Sequence, residues 1–97
     1  MQIKVRFFTS LREIVDKREE TLTYNKGEKV TVDSVIKTLA QEYGKPFTEY
    51  VYDVKTSQPK SFLQFLVNGN STTTQNGLQT EFKDGDVLAI LPPVGGG

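Results

Sequence analysis

Cysteine, histidine and tryptophan are missing from this chain, and it has a single methionine. Without cysteine there is no disulfide and no thiol nucleophile. Without cysteine and histidine together the usual zinc, iron–sulfur and copper sites are excluded. Neither sign of charge is in excess, since twelve Lys and Arg stand against twelve Asp and Glu with no block of either. A surface that tracks phosphates is therefore not expected, and neither is direct nucleic-acid binding. No apolar run approaches the ~20 residues of a membrane-spanning helix. Met1-Gln2-Ile3-Lys4-Val5-Arg6 alternates charged and apolar residues instead of forming the apolar stretch of a secretory signal, so the expectation is a cytoplasmic protein without a membrane partner. There is no G-x-x-x-x-G-K-[ST] loop for a nucleotide, and no pair of carboxylates falls on a recognisable general-acid scaffold. No catalytic residue, metal ligand or bound cofactor is assigned to the chain itself. Its 97 residues make one domain, large enough to bury roughly two-thirds of its unfolded surface without disulfides or metal.

What is present is regular patterning. Ile3, Val5 and Phe7 alternate with Lys4 and Arg6, the period of a half-buried strand. Thr9-Ser10 opens a short turn or helix bearing Leu11, Ile14 and Val15, and Glu20 to Tyr24 reads as a second strand pairing with the first. Val32, Val35, Ile36, Leu39, Ala40 and Tyr43 then fall on one face of an α-helix. Thr31 stands at its N-cap, Asp33 in its first turn, and Gly44 just past its end. Phe47, Tyr50, Val51 and Val54 repeat the helical spacing and predict a second, short helix, followed by an exposed loop over Lys55–Lys60. Phe62 to Val67 is strand-like and ends at Asn68-Gly69, a tight-turn pair because both residues tolerate positive φ. Ser71 to Asn76 reads as polar loop and Lys83-Asp84-Gly85-Asp86 as a turn. Val87–Leu91 is continuously apolar, the mark of a mid-sheet strand buried on both faces. One long amphipathic helix with a set of strands predicts an α+β domain, a mixed sheet with the helix packed across one face.

The last six residues are of a different kind. Strand Val87–Leu91 cannot go on donating ladder hydrogen bonds through Pro92-Pro93, which have no N–H and favour an extended start that projects the chain outward. Gly95, Gly96 and Gly97 carry no side chains, so residues 92–97 form a thin segment of roughly 20 Å when extended. Such a segment suits a narrow channel in another protein. A carboxyl at Gly97 is unhindered, yet it is ionised at neutral pH and a poor electrophile until activated. The chain has no nucleotide loop of its own, so activation calls for an ATP-using partner. With no cysteine, that carboxyl is also the one place where sulfur could be carried. The expected division is a globular body over 1–91 and a flexible reactive tail over 92–97.

Five segments in order resemble the small-subunit family of molybdopterin synthase. They are Val5-Arg6-Phe7-Phe8-Thr9-Ser10-Leu11-Arg12-Glu13, Val67-Asn68-Gly69, Leu78-Gln79-Thr80, Lys83-Asp84-Gly85-Asp86-Val87, and Leu91-Pro92-Pro93-Val94 followed by glycines. The signature is shared by a wider group, the small archaeal modifier proteins and the ubiquitin-related modifiers. The stretch from Gly44 to Pro59 lies outside it, and Gly95 stands where many relatives carry Ala or another small residue. The resemblance implies the ubiquitin-like β-grasp fold and an E1-like partner that adenylates the terminal glycine, Gly97, with ATP. The product is a thiocarboxylate that donates sulfur, an isopeptide link to a target lysine, or both. The alternative use is as the synthase small subunit, its tail entering a large-subunit active site to serve molybdenum cofactor biosynthesis. A third reading is an interaction module with an inert tail. Phe8 and Phe65 are the candidate docking residues, because alternation with Phe7 and Leu66 is expected to leave them on the sheet face away from the helix.

Overall fold

The computed structural model describes residues 1–92, so the expectations for Pro93, Val94, Gly95, Gly96 and Gly97 concern residues outside the described range. Within it, strand β1 (Gln2–Phe7) buries Ile3, Val5 and Phe7 and exposes the alternate positions, as its period of two requires. A short helix α1 (Thr9–Val15) buries Leu11 and Val15, and Asp16, left-handed at φ 58°, ends it and turns the chain into β2 (Glu19–Thr23). β1 and β2 pair antiparallel from Gln2 opposite Thr23 to Arg6 opposite Glu19.

Helix α2 (Val32–Tyr43) starts at the expected cap. The Thr31 hydroxyl accepts from the Ser34 N–H at 3.2 Å, and the Ser34 hydroxyl accepts from the Thr31 N–H at 2.8 Å. Gly44, at φ 73°, closes α2 and also caps α3 (Lys45–Val51), with Pro46 in the first turn where a missing N–H costs nothing. Phe47 and Val51 are buried, but Val54 is 95% exposed. The helix stops short of Val54 because Tyr52 turns extended and bridges to Pro59, while the Lys60 N–H donates to the Val51 carbonyl at 2.7 Å.

The remaining strands are β3 (Gln64–Val67), β4 (Asn70–Ser71) and β5 (Val87–Leu91). β3 begins two residues later than the apolar run suggested, since Lys60–Leu63 closes a turn (Leu63 N–H to Lys60 C=O, 3.1 Å) and leaves Phe62 49% exposed. Asn68 and Gly69, at φ 51° and 84°, make the two-residue link to β4. The polar stretch after β4 is a 3-10 turn over Thr72–Thr74, and a second follows over Gly77–Gln79.

The strand order is β2-β1-β5-β3-β4, with β1 and β5 parallel and every other pair antiparallel. Ile3, Val5, Phe7, Phe65, Val67, Leu88 and Ile90 from the sheet share one core with Val32, Val35, Ile36 and Leu39 of α2 and with apolar residues of α1 and α3. This is the α+β, β-grasp architecture expected, a mixed sheet with its main helix across one face. One expectation is corrected. β5 is central, but only Leu88 and Ile90 are fully buried, and Val87, Ala89 and Leu91 are half-buried. The helices all contribute to the core on one side of the sheet, so the strand is buried on one face and partly open on the other.

Candidate functional site

The site to be built is the place where the chain leaves the sheet. β5 is held on both sides: Ile90 lies opposite Phe7 of β1 and Phe65 of β3, and Leu91 lies opposite Gln64. Pro92 follows and belongs to no strand. Its ring nitrogen has no hydrogen to donate, so the ladder ends there for a covalent reason. Because β5 runs parallel to β1, the exit lies at the end of the sheet where β1 hands over to α1. There Phe8 is half-buried at the N-cap of α1, and its carbonyl accepts from the N–H groups of Leu11 (3.1 Å) and Arg12 (3.4 Å). The Arg12 side chain donates through Nε to the Phe7 carbonyl at 3.4 Å.

Of the two docking candidates, Phe8 lies beyond the last residue of β1, where strand alternation no longer orients it. Phe65 is a correction. It is 8% exposed and stands in the core, because its register partner Ile90 is itself opposite Phe7, and residues opposite one another share a face. The open face carries instead the row Arg6, Ala89 and Leu66, flanked by Lys4 beside Val87 and by Leu91 beside Gln64. Glu19, opposite Arg6, reaches Lys4 at 3.5 Å and Arg6 at 3.9 Å, so an apolar strip of β5 and β3 borders a charged edge on β1 and β2. The signal that could have shown this was Gln64. It is the one polar residue in Phe62–Val67 and shares its parity with Leu66, marking that set as the outward one.

A cleft of about 550 Å³ adjoins the exit on the β3 side, with Pro59, Lys60, Leu63, Phe65, Thr72 and Leu78 among its lining residues. Among the described residues Lys60 is its only ionisable lining residue, and the Lys60 amine donates to the Glu49 carbonyl at 2.9 Å. Among them nothing there forms an acid–base pair. A cluster of titratable side chains lies between β2 and the end of α2. Burial alone would raise the Glu20 carboxyl, but hydrogen bonding with Glu42, Tyr43 and Lys17 outweighs burial and holds it below the usual carboxylate range. Burial, and then the hydrogen bond to Glu20, push the Tyr43 hydroxyl well above the ordinary tyrosine range. This cluster ties an edge strand to the main helix and is structural. Among the described residues, no group of three or more His, Cys, Asp or Glu is placed to hold a metal ion. No helix among them is long and apolar enough to cross a membrane.

A family model described as the ThiS family matches residues 5–97. The chain is 29% identical over 97 residues to small archaeal modifier protein 3 of Haloferax volcanii, covering all of both chains. It is 34% identical over 70 residues to an Archaeoglobus fulgidus protein provisionally named as a sulfur carrier, covering 72% of this chain and 77% of that one. Among solved structures it is similar to the small archaeal modifier protein 1 of Methanosarcina acetivorans, at 36% identity and a TM-score of 0.77, covering 99% of this chain and 96% of that one.

Proposed function

The chain belongs to the ThiS family, and from that premise we propose that it is a ubiquitin-like carrier activated at Gly97 by an E1-like enzyme. In this reading Gly97 serves protein modification, sulfur transfer or both. The observation that carries the reading is the placing of Pro92 directly after the central strand. The segment Pro93-Val94-Gly95-Gly96-Gly97 is thereby joined to the strand held by neighbours on both sides. A strand paired on each side resists fraying better than an edge strand, so it makes a firm root for a segment handed to another protein.

The chemistry follows from the Gly97 carboxylate. One of its oxygens attacks the α-phosphorus of ATP on the partner, pyrophosphate leaves, and an acyl-adenylate is formed. Hydrosulfide then attacks the carbonyl carbon and AMP departs, leaving a thiocarboxylate once the sulfur loses its proton. A lysine amine attacking the same carbon gives an isopeptide bond. Glycine at the reacting position leaves that carbon open to either nucleophile. The partner is held, in this proposal, by the open sheet face beside the exit, with Leu66, Ala89 and Leu91 forming the apolar strip and Phe8 at its end.

Mass spectrometry of the intact protein and its adducts from its own cells tests the use made of Gly97. Modification is expected to leave amide-linked adducts on lysines that survive reducing agent. Lys83 is the last basic residue, so trypsin leaves Asp84–Gly97 on each modified lysine, a remnant of 97 − 83 = 14 residues. A thiocarboxylate without such branched peptides would assign the chain to sulfur delivery alone, as in a synthase subunit. Finding neither would reject the carrier reading in favour of an inert tail.

A further inference from the structure

The chain holds two Asn-Gly pairs, Asn68-Gly69 and Asn76-Gly77, and the fold treats their side chains differently. In such a pair the glycine nitrogen, with no Cβ beside it, can approach the asparagine side-chain carbonyl closely. At Asn68 the amide is held at both ends. Its Oδ1 accepts from the Val87 N–H at 3.0 Å, and its Nδ2 donates to Asp86 Oδ1 at 2.9 Å. Asp86 is itself fixed, its other oxygen accepting from the Lys83 N–H at 2.7 Å. The Asn68 side chain thus bridges a hairpin turn to the start of β5 and cannot swing onto its own backbone without breaking those contacts.

Asn76 is exposed, and among the described residues its side-chain amide makes no hydrogen bond and the Gly77 N–H donates to no acceptor. A Cβ built on Gly69 or on Gly77 would meet nothing within 4 Å, so crowding does not separate the two pairs, whereas the hydrogen bonding of the asparagine side chains does. Only the backbone here is held, by Asn76 N–H to Thr80 Oγ1 at 3.1 Å and by Thr80 Oγ1 to the Gly77 carbonyl at 2.8 Å.

We infer that Asn76 is a site of spontaneous deamidation and isomerisation, and that the fold protects Asn68 from the same reaction. The Gly77 nitrogen attacks Asn76 Cγ and gives its proton to solvent hydroxide, and the side-chain nitrogen leaves as ammonia. One water then opens the resulting succinimide at either carbonyl, yielding aspartate or isoaspartate. The sum is asparagine plus water to acid plus ammonia, with no oxidant or reductant. The product places a carboxylate next in sequence to Gly77 and Leu78, which line the cleft that also holds Lys60. Isoaspartate also lengthens the backbone by one carbon between the two 3-10 turns.

The test incubates the purified full chain in mildly alkaline buffer, folded and in urea side by side. Trypsin releases both pairs on one peptide, Ser61–Lys83, so fragment ions assign the conversion to each asparagine. In the folded protein Asn76 is expected to convert roughly tenfold or more faster than Asn68, since two hydrogen bonds must break before Asn68 can react. In urea the two rates are expected to converge. Asp86→Ala, which removes the Asn68 Nδ2 acceptor, is expected to speed Asn68 selectively, and Asn76→Ser to abolish the fast component. A folded-state ratio equal to that in urea would overturn the inference. So would a faster Asn68, or an Asn76 unchanged over the time in which the urea sample converts.

Discussion

Tyr43 closes α2 with its ring edge-on to Phe7, centroids 6.1 Å apart, and its hydroxyl donating to Glu20 of β2. Lys17 reaches the same carboxylate at 3.1 Å and lies 5.8 Å from the Tyr43 ring centre. Tyr43→Phe keeps the ring packing and removes a hydrogen bond to a charged acceptor, so urea titration is expected to show a loss of about 1–3 kcal/mol. The depressed Glu20 carboxyl gives the same contact a pH dependence. Its stabilisation is complete above the unfolded carboxylate pKa of about 4.3 and is lost as pH falls through the lower folded value. The Glu42 carboxyl, raised chiefly by its hydrogen bond with Glu20, opposes this where the two share a proton. Glu20→Gln is therefore expected to flatten the acid limb of a stability–pH curve, and an unchanged limb would place the acid sensitivity elsewhere. Leu39 is wholly buried on α2. Leu39→Ala is expected to cost roughly 2–5 kcal/mol by urea titration, out of the ~5–15 kcal/mol typical of a domain.

Elements whose order rests on local chemistry were legible in the sequence. The α2 stripe, its Thr31 cap, the Gly44 stop and the Asn68-Gly69 turn all stand where residue types alone put them. Parity and burial across the sheet were not, because they depend on which strand lies alongside. Val87–Leu91 reads as doubly buried, yet its outward set is only half covered, since the described helices contribute to the core on the other side. Phe65 reads as free, yet pairing with Ile90 turns it inward. The helical spacing at Val54 was overridden by the Tyr52–Pro59 bridge, a contact between residues that no period connects. The register puts Leu66 and Ala89 on the open face, and the docking proposed there carries its own prediction. Leu66→Glu puts a charge on an already half-exposed face and is expected to leave the thermal midpoint nearly unchanged. It should lower kcat/KM for activation by the partner about tenfold, the scale of one well-placed interface residue. Unchanged activation would show that the partner docks on another surface.

On the scale of the whole molecule, the proposed function requires body and reactive end to be separable. Among the described residues the core runs from Ile3 to Ile90 and draws on every α-helix and four of the five strands. Deleting Gly96 and Gly97 is expected to leave the thermal midpoint within error of the full chain, because glycines add no side-chain burial. Unfolding of that variant would contradict a domain that ends at Leu91. The most direct test of the account is ATP–pyrophosphate exchange catalysed by the E1-like partner, with the full chain, the chain lacking Gly96 and Gly97, and Gly97→Phe as substrates. The account predicts exchange with the full chain and loss of it with the other two, both still folded. Exchange that persisted without Gly96 and Gly97 would contradict it.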